Sequence, residues 1–438
     1  MESNSTTLES ALRQALLGLG VATAGQLQAA LGRSQPTVSR LLNAQGPDLL
    51  VMGQGRSTRY ALAEPFSGMP PRLPLHWVHP DGRIEAWGSV AVATGQRVHL
   101  EAPGLDLLTQ GELPWLLAPL RAEGFLGRLL AQRLALQGLD RQPERWSVAQ
   151  QLFAACAQPD APGALVLGEP RTSALPTWRT EADLDALAAD VAATLPAGSS
   201  AGGEQAKFLA RRADGQAVLV KFSPPRDTPF GERWHDLLHA EALALQVLHT
   251  HGVAVAHSTV IETPARTCLV SERFDRLPPR EAQRFEGRRH AVPLHAVHDA
   301  FVSGPRQHWA ATAQALVRQR RLPAEAGAQV EALLRFGRLI GNSDMHFGNL
   351  SLWVEPADVA AGRFTLAPMY DMLPMRWRPD LQAGALDLWP FSPEPVDLQS
   401  AALPVACAFW SAAAGCAHLS RGFRGLARQM IDKLEDPR

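Results

Sequence analysis

Leu8, Leu12, Leu16 and Leu19 recur at helical spacing near the start of the chain, and Gly18 and Gly20 end the stripe they make. A second short helix is expected at 24–31. Ser34 caps a third, in which Val38, Leu41 and Leu42 face inward before Gly46 stops it. Residues 49–52 and 57–62 then read as the arms of a hairpin about Gly53-Gln54-Gly55. The Pro-rich stretch 64–74 reads as a linker. From 75 to 101 polar and apolar residues alternate about Asp81-Gly82 and Thr94-Gly95, the pattern of strands joined by tight turns. Helical spacing returns at 113–137 and 146–157. A strand at 165–166 and an Ala-rich helix at 181–194 lead to a Gly- and Ser-rich stretch from Pro196. Strand patterns at 208–211 and 217–222 flank the turn Asp214-Gly215. Residues 231–251 are helical, 255–260 and 267–270 strand-like, and the remainder is mostly helical, at 294–302, 309–319, 325–340 and about 401–434.

The first of these segments, 1–65, has the order of a winged helix-turn-helix: a helix, a helix–turn–helix and an Arg-bearing hairpin. In that reading Gln35, Thr37, Ser39 and Arg40 are exposed on the recognition helix, and Arg56 and Arg59 of the wing meet DNA phosphates. A small helical dimerisation module shares the topology and stays open as the alternative. The next segment, 72–160, is a mixed α/β scaffold with no recognisable chemistry.

Charge and composition narrow the class. A formal net charge of −1 gives no global pull toward nucleic acid or membrane, so any such contact is local. Four widely spaced cysteines without a CxxC pair argue against a zinc ribbon or a disulfide framework and suit a reducing cytosol. No run approaches the roughly 18 apolar residues of a bilayer span, and no signal peptide is evident. A cytoplasmic protein without a membrane partner is expected. Its 42 basic residues are almost all Arg: Lys occurs only at 207, 221 and 433, and Asn only at 4, 43, 342 and 349. Where so sparing a chain places Lys or Asn, a chemistry that Arg cannot supply is implied.

Two of those asparagines lie in Leu339–Trp353, LIGNSDMHFGNLSLW, which is followed by APMYDMLP at 367–374. An Asp, an Asn five residues on and a downstream Asp form the layout of a phosphoryl-transfer site. Asp344 would accept the proton of the attacking hydroxyl, Asn349 and Asp371 would hold Mg²⁺, and His346 would orient the loop or assist the Asp. Upstream, the Gly/Ser loop precedes the hairpin whose second strand, VLVKF, carries Lys221 where a kinase strand Lys reaches the nucleotide phosphates. Glu241, twenty residues later on a helix, is the candidate for pairing that Lys. Asn342, Asp344 and Asp371 could instead cap turns or a helix, and Asp344 with His346 could belong to a metallophosphatase or nuclease, although no further ordered ligand set supports that. His235 and His239 stand at i, i+4, but without the zincin Glu or a third ligand they read as a solvated face. Arg-rich runs at 284–289 and 318–321 also read as solvated faces rather than partner contacts.

At SSAGGEQAKF (199–208), VKF around Lys221, SERFDR (271–276), GNSDMHFGNLSL (341–352) and APMYDMLP, the sequence resembles the HipA-type serine/threonine toxin kinases of bacteria. The likeness is to the YjjJ-like branch, which carries a winged-helix head. The resemblance implies an α+β, two-lobed protein-kinase-like (HipA) fold with an N-terminal winged helix-turn-helix domain. Its nucleotide lobe would span 161–275 and its helical lobe 276–438. It implies ATP and Mg²⁺ as cofactors and a protein Ser or Thr as acceptor, on an aminoacyl-tRNA synthetase in that family. Ser199, Ser200, Gly202 and Gly203 would lie over the phosphates, and Glu272 and Phe274 would meet the adenine through their backbone. Ser199, with Ser200 beside it, would be autophosphorylated, ejecting the loop by repulsion. Other members answer to a separate DNA-binding antitoxin; here a DNA-binding head is built in, so regulation in cis is the expectation. Ala206 departs from the family loop. The competing expectation is a DNA-binding transcription regulator whose kinase-like domain is a nucleotide sensor or a scaffold.

Overall fold

The structure is a computed structural model that describes residues 2–158, 160–194, 205–278, 285–379 and 387–435. Its contacts divide the chain into two units with a mixed α/β fold. One comprises Met1–His79, Arg83–Glu123 and Leu130–Thr172; the other comprises Pro80–Gly82, Gly124–Leu129 and Ser173–Arg438.

The first unit begins with α1 (Glu2–Leu19), β1 (Ala22–Thr23), α2 (Ala24–Leu31) and α3 (Gln35–Ala44), followed by β2 (Leu49–Met52) and β3 (Arg59–Leu62). The strands form an antiparallel sheet in the order β1-β3-β2. Leu12, Leu16, Leu27, Val38, Leu41 and Leu42 make one buried cluster, as their spacing predicts. Thr23 and Gln26 form a capping box that starts α2, and Gly32 at φ 60° ends it in the left-handed conformation glycine tolerates. Ser34 occupies the cap position of α3, but its hydroxyl bonds Thr37 Oγ1 at 3.1 Å rather than a helix amide.

Leu50, Met52 and Ala61 of this hairpin bury against Ala91 and Ala93. The Thr94 and Glu64 amides donate to Leu62 O and Val92 O at 3.0 and 2.8 Å. The stretch read as a linker therefore starts as a paired edge. The second sheet contains β4 (Leu73–Val78), β5 (Ile84–Ala93), β6 (Arg97–Ala102), β7 (Leu105–Gln110) and, beyond α4 (Gly124–Leu134) and α5 (Val148–Ala157), β8 (Leu165–Leu167). Its order is β7-β6-β5-β4-β8. The helical pattern at 113–137 is not one helix: Pro119 lies in a 3-10 segment, Trp115–Leu120, and α4 starts only at Gly124.

The second unit opens with α6 (Glu181–Thr194) and a four-stranded antiparallel sheet of β9 (Lys207–Arg211), β10 (Ala217–Phe222), β11 (Ser258–Glu262) and β12 (Thr267–Glu272), ordered β11-β12-β10-β9. Val218, Val220 and Phe222 pack with Leu184 and Ala188 of α6. Strand alternation turns Leu219 and Lys221 to the opposite face. The long helix α7 (Pro229–Thr250) lies between β10 and β11 in the chain and is capped by Thr228, whose hydroxyl accepts from the Gly231 amide at 3.0 Å. After the short β13 (Arg276–Leu277), β14 (Gly287–Arg288) and β15 (Ala291–Pro293) come α8 (Leu294–Phe301), α9 (Trp309–Arg318) and α10 (Ala324–Leu339). β16 (Ser351–Trp353) pairs with β15 and with β17 (Thr365–Leu366), and α11 (Pro395–Leu398), α12 (Leu403–Gly415) and α13 (Arg421–Glu435) complete the unit. Phe336, Phe409, Trp410 and Phe423 are fully buried there. Trp410 Nε1 donates to Leu339 O at 3.1 Å and so pins the end of α10, where the polar loop begins.

Candidate functional site

Lys221, on the face of β10 turned from the α6 core, is buried and meets two carboxylates. Its Nζ lies 2.6 and 2.8 Å from the two oxygens of Glu241 on α7, and 2.5 Å from Asp371 Oδ1. Burial works against the ammonium, but Asp371 and Glu241 outweigh it and hold the Lys221 pKa above its ordinary value. Burial also raises Asp371, yet the Lys221 and Lys207 charges more than reverse this and bring its carboxyl to about 2. Glu241 is held above the ordinary carboxylate range: burial raises it, and Lys221 only partly opposes that. Asp371 adopts φ 57°, a left-handed conformation that Asp tolerates better than most residues and that concentrates at functional sites.

Between α10 and β16, side chains brace the backbone of the Asp344 loop. Gly341 at φ 77° turns the chain out of α10, and the Asn342 amide returns to Gly337 O at 2.8 Å. Asn342 Oδ1 accepts from the Asp344 amide at 3.0 Å, an Asx turn. Asn349 Nδ2 donates to Asp344 O at 2.9 Å, which leaves Oδ1 as the remaining acceptor of that amide. His346 Nδ1 accepts from the Gly348 amide at 3.0 Å, and His346 O accepts from Trp309 Nε1 at 3.1 Å. His346 therefore braces the loop, and its exposed ring lies close enough for its charge to act on Asp371. Asn342, set aside as a possible turn former, does form the turn, and the turn it forms positions Asp344.

Two residues absent from the expected set complete the arrangement. Lys207 is the cross-strand partner of Lys221 and shares its face of the sheet; its charge acts on both Asp371 and Glu241. Tyr370 donates to Gly348 O at 2.7 Å and contacts Ser351 Oγ at 2.8 Å, tying the residue before Asp371 to the Asp344 loop. Burial pushes its hydroxyl well above the ordinary tyrosine range. Both had a signal in composition, since Lys occurs three times and Tyr twice in the chain. On the other side of Asp371, Met369 N donates to Ala254 O and Met369 O accepts from Ala256 N, at 2.8 and 2.9 Å.

Phe274 packs against Trp353 and Tyr370 with ring centroids 5.4 and 5.5 Å away. The Glu272 amide donates to His257 O at 2.8 Å and its carboxylate accepts from Arg212 at 3.0 Å. The charges of SERFDR build a buried ionic cluster, in which Arg273 and Arg276 both hold Asp275 and Arg276 also faces Glu286. Ser199, Ser200, Gly202 and Gly203 lie outside the described residues. In the first unit, Gln35, Ser39 and Arg40 are exposed on α3 and Thr37 is half-buried. Arg59 is half-buried on β3, and the side chain of Arg56 lies outside the described part.

The donor set suits a hard cation. With Asn349 Nδ2 and Asp371 Oδ1 already engaged, each residue retains one oxygen, the ligand type Mg²⁺ takes. Lys221 and Lys207 offer positive charge of the kind a phosphate chain needs.

The C-terminal part of the chain, residues 199–435, matches the family model described as HipA-like C-terminal domain, and residues 69–175 match that of the YjjJ-like toxin, middle domain. Toxin YjjJ of Escherichia coli (strain K12) is 34% identical over 441 residues, covering 96% of each chain. The chain belongs to the YjjJ-like, HipA-type toxin family. Lys221, Glu241, Asp344, Asn349 and Asp371 all fall within the HipA-like match, whereas α1–α3 and their sheet precede both matched domains. Among solved structures, HipA of Shewanella oneidensis MR-1, determined with HipB and its operator DNA, superposes with a TM-score of 0.54 at 14% identity. It covers 83% of this chain and 95% of its own, so the YjjJ-like chain shares the HipA fold. No helix among the described residues is long and apolar enough to cross a membrane.

Proposed function

We propose that this YjjJ-like protein is an ATP- and Mg²⁺-dependent serine/threonine protein kinase with a DNA-binding head. The observation that carries the reading is the contact of Lys221 with both Glu241 and Asp371, which joins the strand Lys, the helical Glu and the metal-site Asp of phosphoryl transfer. Lys221 holds the nucleotide phosphates, with Lys207 beside it. Asn349 and Asp371 would hold Mg²⁺, which when bound neutralises charge on the phosphates. Asp344, its backbone fixed by Asn342 and Asn349, orients the acceptor hydroxyl and takes its proton. Most of the acceleration comes from this positioning and from electrostatics rather than covalent chemistry.

The acceptor is a protein Ser or Thr. By family resemblance it is that of an aminoacyl-tRNA synthetase in trans, and Ser199 or Ser200 in cis. The three helices and sheet of the head, with Gln35, Ser39 and Arg40 exposed, support a winged helix-turn-helix that binds DNA directly. In the Shewanella complex HipA is accompanied by HipB and operator DNA; here the head would supply the DNA contact from the same chain. Incubation with γ-labelled ATP and Mg²⁺ tests the reading. Wild type should label Ser199 or Ser200, while Asp344→Ala and Asp371→Ala should not. ATP binding without label anywhere would favour a nucleotide-sensing regulator instead.

A further inference from the structure

Two imidazoles on α7 have a partner that their sequence positions do not disclose. His235 and His239, one turn apart, converge with Glu262 at the end of β11, and one ligand atom from each lies within 4.8 Å of the others. His239 is not on a solvated face: it is 8% exposed. Its Nε2 is buried without a hydrogen bond and lies 3.5 Å from Glu262 Oε1. A buried imidazole nitrogen left unpaired and aimed at a carboxylate is the arrangement a cation would complete. His418, just before α13, closes the remaining side. Its ring stacks on His239 with centroids 5.0 Å apart, and its Nδ1 is 3.1 Å from the same Glu262 oxygen.

The surroundings also suit a ligand set. The second Glu262 oxygen accepts from Arg226 at 2.7 Å, which fixes the carboxylate. His235 Nδ1 lies 2.7 Å from Thr267 Oγ1, an outer partner of the kind that orients metal-binding histidines. His235 Nε2 now faces His418 O at 2.7 Å. Coordination through Nε2 exchanges that carbonyl for the ion and leaves Nδ1–H donating to Thr267. We propose that His235, His239 and Glu262, covered by His418, bind a Zn²⁺-class transition-metal ion. Two neutral nitrogens and a carboxylate match the Zn²⁺ preference and differ from the all-oxygen Mg²⁺ set. Such an ion would clip α7, which carries Glu241, to β11.

The test uses the full chain, free of any affinity tag, with Mg²⁺ in excess. Zn²⁺ is titrated against a chromophoric chelator and Co²⁺ is followed by its visible absorption. Expected are saturable binding of one ion per chain and an intense, low-coordinate Co²⁺ spectrum without a thiolate charge-transfer band. Zn²⁺ should raise the melting temperature, and affinity should fall about tenfold or more in Glu262→Gln and His239→Gln. If His239→Gln does not fold, the exposed Glu262 carries the comparison, with metal-free melting of Glu262→Gln as its folding control. Absence of saturable binding, an octahedral Co²⁺ spectrum, or Glu262→Gln binding with wild-type affinity would overturn the assignment.

Discussion

Lys221 is one ammonium shared by two carboxylates, and that stoichiometry makes its removal more consequential than the loss of either acid. Lys221→Met leaves Glu241 and Asp371 facing each other without the cation between them. Urea unfolding should show a loss of about 3–5 kcal/mol, as for other broken buried ion pairs. Glu241→Gln keeps a hydrogen-bonding partner and leaves Lys221 paired with Asp371, so its cost should be smaller, about 1–3 kcal/mol. A Lys221→Met protein as stable as wild type would show that the contact does not hold the unit together. Much at this scale was legible in the sequence. An Arg-preferring chain that places Lys at 221 and Asn at 349 signals a need for those types, and Asp344, Asn349 and Asp371 are spaced as the proposed phosphoryl transfer requires. Lys207 and Tyr370 were harder to read, because their roles follow from strand register and from a tertiary hydrogen bond. Spacing along the chain encodes neither.

Among the elements, α7 carries Glu241 and α10 leads into the Asp344 loop; Gly341 turns the chain out of α10, and Gly231 packs tightly in the first turn of α7. At Gly341 the backbone is left-handed, and an added Cβ would lie 2.7 Å from the Trp377 ring. Gly341→Ala should therefore cost about 1–3 kcal/mol of stability from backbone strain and lower activity further by displacing Asn342 and Asp344. At the start of α7, Thr228→Ala should cost about 1 kcal/mol through loss of the cap. Gly231→Ala should cost more, because its Cβ would meet Pro225 O at 1.9 Å. Thermal melting orders the pair, and an Ala at 231 that melts with wild type would contradict the packing. Periodicity placed these helices well: α10 buries an apolar stripe that includes Val330, Leu333, Leu334 and Gly337, and α7 buries Leu237, Leu238, Ala244, Leu245 and Leu248, although it also buries Arg233, Asp236, His239 and Glu241. It failed at 113–137, where the apolar spacing continues through Pro119 although the backbone cannot. It also failed to disclose Glu262 as the neighbour of His235 and His239, since β11 and α7 meet only through tertiary packing.

On the scale of the whole molecule, family membership covers nearly the full chain, and the proposed function gives its head and its HipA-like part separate chemistry. DNA binding by the head should survive Asp344→Ala unchanged. Arg40→Ala should weaken it across sequences and reduce the salt slope by about 1 if Arg40 meets a phosphate; filter binding at several salt concentrations distinguishes this from a head that binds no DNA. The HipA-type resemblance could be read from five motifs, whereas the pairing of the head's hairpin edge with the second sheet was hidden in a stretch whose prolines suggest a linker. The proposed function requires that Lys221, Asp344, Asn349 and Asp371 form one phosphoryl-transfer site. Its most direct test measures Mg²⁺·ATP affinity and γ-phosphate transfer side by side in wild type and Asp344→Asn. Nearly equal affinity is expected, with transfer reduced about 10²–10⁴-fold in the variant. Equal transfer by the two proteins, or no transfer by a wild type that binds the nucleotide, would contradict it.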